Sequence, residues 1–135
     1  METRIRKGIY TRLAKQLIRE MPELRYIAES RVRLVFLSSD MEKKKGNKAV
    51  LGQCEKIPDK FKWRIPYDFM ITVFEPNVER FDREKTKILL FHELLHVGIE
   101  VDGNEEKYFV REHDYEEFAE IMRRYGIDWS EDVEA

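Results

Sequence analysis

The chain holds three histidines, and two of them stand four residues apart in His92-Glu93-Leu94-Leu95-His96. On a helix, positions i and i+4 lie nearly above one another, so both imidazoles can reach one ion. Glu93 would sit about 100° around that helix from His92, close enough to meet a water beside the ion without taking a ligand position. Two imidazoles flanking a carboxylate at this spacing form the HExxH constellation of zinc hydrolases. The chemistry they could do is hydrolysis by a metal-activated water, with Glu93 as general base.

The surroundings of the motif sharpen that reading. Between Lys87 and Val97, every residue outside the motif's own polar groups is apolar, so this helix must be buried nearly all round. Burying a carboxylate without compensation costs several kcal/mol. A bound cation removes that objection, whereas a plain core would have little use for two imidazoles and a carboxylate together.

A catalytic zinc ordinarily takes three protein ligands and keeps one position open. Four candidates compete for the third place. Asp102 stands six residues after His96, where metzincins put a ligand, but the glycine that pattern needs is displaced by Ile99, with Gly98 out of register. Glu116 or Glu117 could serve as a later-helix glutamate does in gluzincins. Cys54 lies upstream in Leu51-Gly-Gln-Cys-Glu55, without the pattern that surrounds the cysteine of peptide deformylases. His113 is the remaining histidine, and imidazole suits zinc without adding negative charge, which favours it. Asp114 would then cap a helix or orient an imidazole.

The elements that must position these residues can be read from period and punctuation. Ile5, Ile9, Leu13 and Leu17 recur at steps of four, so residues 4–20 read as an amphipathic helix stopped at Met21-Pro22. Residues 31–37, 49–57 and 68–74 read as strands, the middle one weaker, with an exposed lysine-rich hairpin loop over 40–48. Phe61 and Trp63 are expected to fold back as core anchors. Asp82 should cap the motif helix, which is expected to run to Val97 and end at Gly98. Residues 99–111 read as a loop or short hairpin. Asp114 and Glu117 form a capping box for a last helix that places Tyr115, Phe118, Ala119 and Met122 on one face and stops at Gly126, with Trp129 docking beyond it. The expected class is α+β: a small twisted three-stranded sheet with helices packed on one face, in the minimal arrangement of a zincin. Residues 1–129 read as one domain, and 130–135 as an acidic, frayed tail.

Composition bounds the partners. Cys54 is the sole cysteine, which excludes an intramolecular disulfide and points to a reducing, cytoplasmic setting. No apolar leader or membrane span is recognisable. Charged residues make up 39% of the chain, yet they sum to −2, so net charge gives no argument for nucleic acid or an anionic membrane.

With these residues assembled, the chain resembles the putative phage metallopeptidase family, itself similar to a pared-down SprT-like zincin. The resemblance rests on Phe91–Val97, on Arg111-Glu-His-Asp-Tyr-Glu-Glu-Phe118 and on Tyr125-Gly-Ile-Asp-Trp129, and strand 68–74 with Glu75-Pro76 also fits. It covers residues 31–129. What it implies is a zinc peptidase in which His92, His96 and His113 are the metal ligands and Glu93 is the base. An extended peptide or protein substrate would pair with an exposed sheet edge at Phe69–Phe74, and Tyr108, Arg111 or Tyr115 would stabilise the oxyanion. Two readings of other classes compete with it: a metal-dependent ribonuclease with a three-histidine site, and a non-catalytic zinc-binding domain.

Overall fold

The computed structural model describes residues 1–113, 118–126 and 129. Arg4–Arg6 form a short strand, β1, and Gly8–Glu20 the first helix, α1. Leu13 and Leu17 are buried as their spacing predicts, but the helix starts later than expected. Arg4-Ile5-Arg6 alternates in type, and its backbone pairs antiparallel with Leu37–Ser39 instead of continuing the helix. Ion pairs hold it there, since Arg4 reaches Glu2 at 2.7 Å and Glu55 at 3.2 Å. Pro22 ends α1, because its ring pushes the preceding residue out of the helical region; Met21 is extended, with φ −94° and ψ 117°.

A four-residue helix, α2 (Arg25–Ala28), leads into strand β2 (Leu34–Ser39). The lysine-rich loop forms the expected hairpin from β3 (Lys44–Lys45) and β4 (Lys48–Ala49), turning at Gly46 with φ +63°. Strands β5 (Gly52–Lys56) and β6 (Phe69–Phe74) complete a four-stranded sheet of order β1-β2-β6-β5. The β2–β6 pair is parallel and the others antiparallel. The expectation of an exposed edge at Phe69–Phe74 is therefore overturned. β6 is paired on both sides, as suits a near-continuous apolar run whose Phe69, Ile71, Val73 and Phe74 are almost wholly buried. One face of the sheet, carrying Phe36, Phe69, Ile71 and Val73, packs with Leu13 and Leu17 of α1 in a single core. Across the other face Arg4 spans Glu55 and Thr72.

Phe61 and Trp63 are not core anchors. They are 45% and 80% exposed, respectively. The inward place in this segment goes to Lys62, which reaches the buried Asp68 at 3.1 Å and lies over the ring of Tyr108. A buried carboxylate needs a counter-charge more than the core needs another ring.

The motif helix, α3 (Arg83–Leu95), opens as expected, with the Asp82 carboxylate accepting from the Lys85 backbone N–H at 2.8 Å. It ends earlier than expected, because Val97 already belongs to strand β7 (Val97–Asp102), which pairs with β8 (Glu105–Val110). Gly98 is not a helix stop. The Phe109 ring stands 2.4 Å from where a Cβ on residue 98 would be, so glycine lets the hairpin close. The last described helix, α4 (Ala119–Tyr125), ends at Gly126 with φ +83°. The expected capping box and acidic tail lie outside the described residues. Phe118 is extended and Ala119 begins the described helix, so Phe118 does not share a helical face with Met122. Among the described residues no helix is long and apolar enough to cross a membrane.

Tyr26 of α2 secures the end of α3. Its hydroxyl donates to Val97 O at 2.6 Å, with Leu94 O at 3.3 Å also in range. Burial pushes its pKa up to about 12. A phenol that ionises later when folded contributes stability that is whole below its free value of ~10 and is lost as pH rises through the folded value. Tyr26→Phe is expected to lower unfolding free energy by about 1–2 kcal/mol at neutral pH in urea melts. The same variant should lose part of the alkaline destabilisation between those two values.

Candidate metal centre

The apolar run that buries α3 aims two of its side chains at one place. His92 and Glu93 lie in the last turns of the helix, and His96 is its C-terminal cap residue. The third histidine arrives by the hairpin. Its ladder pairs Val97 with Val110, and one step further the His96 carbonyl accepts from the Arg111 N–H at 2.7 Å. The Arg111 carbonyl in turn faces His96 Nδ1 at 2.7 Å. Two residues on, His113 returns to the end of the helix that the hairpin left.

Among the described residues, His92, His96 and His113 gather so that one ring nitrogen from each lies within 4.8 Å of the others. The Nε2 atom of His113 is 3.0 Å from Nε2 of His92 and 3.0 Å from Nε2 of His96. A carbonyl oxygen can only accept, so His96 Nδ1 carries a proton and its Nε2 offers a lone pair. Nitrogens held about 2.0–2.1 Å from one zinc ion in tetrahedral array stand about 3.3 Å apart, so His113 Nε2 sits within a few tenths of an ångström of a fitting separation from each of the other two. Three imidazoles with no cysteine and no carboxylate among them suit a zinc that retains an open position.

The walls of this cluster are aromatic. Phe118 is fully buried, and its ring packs edge-on against all three imidazoles, with centroids 4.8–5.3 Å away. The Arg111 guanidinium covers Phe118 and pairs with Glu120 at 2.9 Å, tying the hairpin to α4. Trp129 is buried, lies 6.5 Å from His92 and packs on Phe81, so it docks as expected. Its carbonyl accepts from the Lys85 ammonium. His113 itself is exposed and leaves one side open to solvent.

Glu93 is 3% exposed, with Oε2 4.0 Å from His92 Nε2. Strand β5 backs it. A Cβ on Gly52 would stand 3.1 Å from Glu93 Oε2 and 3.2 Å from Thr72 O, so the absence of a side chain makes room for the carboxylate. Cys54 lies on the same face of β5. Burial, with the charges of Glu93 and Glu55, pushes its pKa far up, and it is not among the gathered donors.

The other sequence candidates fall elsewhere. Asp102 is exposed at the hairpin tip, 3.5 Å from Lys107. The Tyr108 hydroxyl donates to Glu106 at 2.7 Å, and the Arg111 guanidinium is engaged by Glu120, so neither is shaped for an oxyanion. Asp114, Tyr115, Glu116 and Glu117 lie outside the described residues. Two contributions went unread in the sequence: the Arg111 carbonyl, which no side-chain pattern reveals, and Gly52, whose role is to be small.

A family model described as putative phage metallopeptidase matches residues 3–135. The chain belongs to that family. Membership agrees with the three-histidine cluster in pointing to a metal-dependent hydrolase. No curated protein and no solved structure gives a match.

Proposed function

We propose that the chain is a zinc metallopeptidase with a zincin-like arrangement, in which His92, His96 and His113 hold the ion and Glu93 is the general base. The observation that carries this reading is the convergence of three imidazole nitrogens beside a buried carboxylate on the same helix. When bound, zinc would supply Lewis-acid polarisation of a carbonyl and acidify a water.

The remaining work falls to the chain's own groups. Glu93 takes a proton from the attacking water at its Oε2 side, where Gly52 leaves space, and later returns it to the departing amine. The Arg111 carbonyl fixes the tautomer and tilt of His96, and Phe118 keeps water off the inner side of the imidazoles. β5, the sheet edge beside Glu93, replaces β6 as the strand along which an extended peptide would lie.

Purified protein is expected to carry about one zinc per chain and to cleave members of an unbiased peptide library. Elemental analysis after expression in zinc-replete medium, followed by mass spectrometry of the library, checks both. No transition metal would end the metal reading. Zinc without cleavage would leave a non-catalytic zinc domain.

A further inference from the structure

Charge is distributed unevenly over the surface, and the sum of −2 hides this. Arg12, Lys15 and Arg19 project from the exposed side of α1 at steps of three and four, and Arg83 opens α3 beside them. Together they line a depression of about 410 Å³. Lys15 also borders a second depression of about 240 Å³, lined by Arg6 and Tyr67. Among the described residues no carboxylate lines either one, although the chain has 27 acidic residues to 25 basic. Among the described residues these five cations make only neutral hydrogen bonds, from Arg83 to Gln16 and from Arg6 to the Tyr67 hydroxyl. Clustered like charges repel, so this arrangement works against folding and suits an anionic ligand.

A second observation comes from Tyr67, which lines the smaller depression, and from the segment that leads to it. The Arg6 guanidinium lies over Tyr67, 5.2 Å from its centroid. In the segment leading to Tyr67, Lys60, Phe61, Trp63 and Arg64 are exposed while Lys62 turns inward, and Trp63 at 80% exposure is the most open aromatic among the described residues. Leaving an indole in water forgoes burial worth a few kcal/mol. Cations bordering exposed rings are what an unpaired nucleic-acid strand requires: charge for its phosphates and flat faces for its bases.

We propose that this surface binds single-stranded nucleic acid. A duplex would offer the rings no open base to stack on. A bilayer surface would not enter the concave depressions that hold the cations, and an acidic peptide would leave Trp63 and Tyr67 without planar partners. The surface is separate from the histidines and does not rest on the peptidase reading. Arg83 and His92 are nine positions apart on α3, which puts them on opposite sides of the helix and about 13 Å apart along its axis. A strand bound here is therefore held, not cut.

The test is fluorescence anisotropy of a labelled oligothymidylate of about twenty nucleotides titrated with the intact protein at several salt concentrations. Binding is expected, with log K falling against log salt at a slope of about −3, as for some four neutralised phosphates on a single strand. The double variant Arg12→Glu/Arg19→Glu should weaken binding at least about tenfold. Trp63→Ala should weaken it about tenfold, and because Trp63 is exposed its loss leaves folding intact, checked by circular dichroism. No binding at low salt would overturn the proposal. Binding that neither variant changes would overturn it too, as would tighter binding to phosphatidylserine vesicles or polyglutamate than to the oligonucleotide.

Discussion

Replacing Glu93 with glutamine should slow peptide hydrolysis by about 10²- to 10⁴-fold, the usual share of a positioned general base. Zinc content and melting temperature should stay near those of the unaltered protein. The asymmetry follows from the placement of Glu93. Its Oε2 lies 4.0 Å from His92 Nε2, beside the donor cluster and not among the donors. The amide is nearly isosteric and fits the room left by Gly52, but it cannot accept the proton. Single-turnover rates on a peptide found in the library, run alongside elemental analysis, measure both halves. Loss of metal in the variant would make Glu93 a ligand, and undiminished turnover would remove it from the mechanism.

The second large effect is expected at His113. His113→Ala should weaken zinc binding by more than the about 10- to 100-fold that loss of an outer hydrogen-bond partner costs, since it deletes one of the three donors gathered among the described residues. Its Nε2 is the atom that stands 3.0 Å from both of the others. Asp102→Ala should leave affinity unchanged, because that carboxylate sits at the hairpin tip with Lys107. Cys54→Ser should also be near neutral, because that half-buried thiol is not among the gathered donors. Competition with a zinc-sensitive dye gives the three affinities, and affinity in all of them should fall in acid as protons compete for the imidazoles. If His113→Ala binds zinc as tightly as the unaltered chain, the ligand set is wrong.

What the sequence made legible was local and strongly patterned. The apolar run around His92 and His96 could only be a buried helix, and the run at 69–74 could only be a strand. The choice of His113 rested on donor chemistry, which does not depend on the fold. Other features turned on partners distant in the chain. β1 is three residues long, and its alternation matters only because β2 offers an edge to pair with. The parallel β2–β6 pairing that puts Phe69–Phe74 in the middle of the sheet joins residues on either side of two intervening hairpin strands and β5. Trp63 reads as a core residue by type, and only the buried Asp68 explains why Lys62 takes the inward place instead. The orientation of His96 depends on a backbone carbonyl, which a side-chain motif cannot encode.

The β7–β8 hairpin has a bearing on how the molecule reaches this state. His92 and His113 are 21 positions apart, joined by a hairpin whose ladder runs without a break into the His96–Arg111 pair. By contrast, joining β2 to β6 brings together segments such as Arg33 and Asp68, 35 positions apart. Closing the shorter loop costs less chain entropy, and contacts between near neighbours in sequence form sooner than distant ones. The donor group is thus a self-contained stretch of chain, able to gather around a cation before the sheet has zipped. A metal bound there would seed folding in this half of the protein, with the parallel strands added to a helix–hairpin unit that already has its shape.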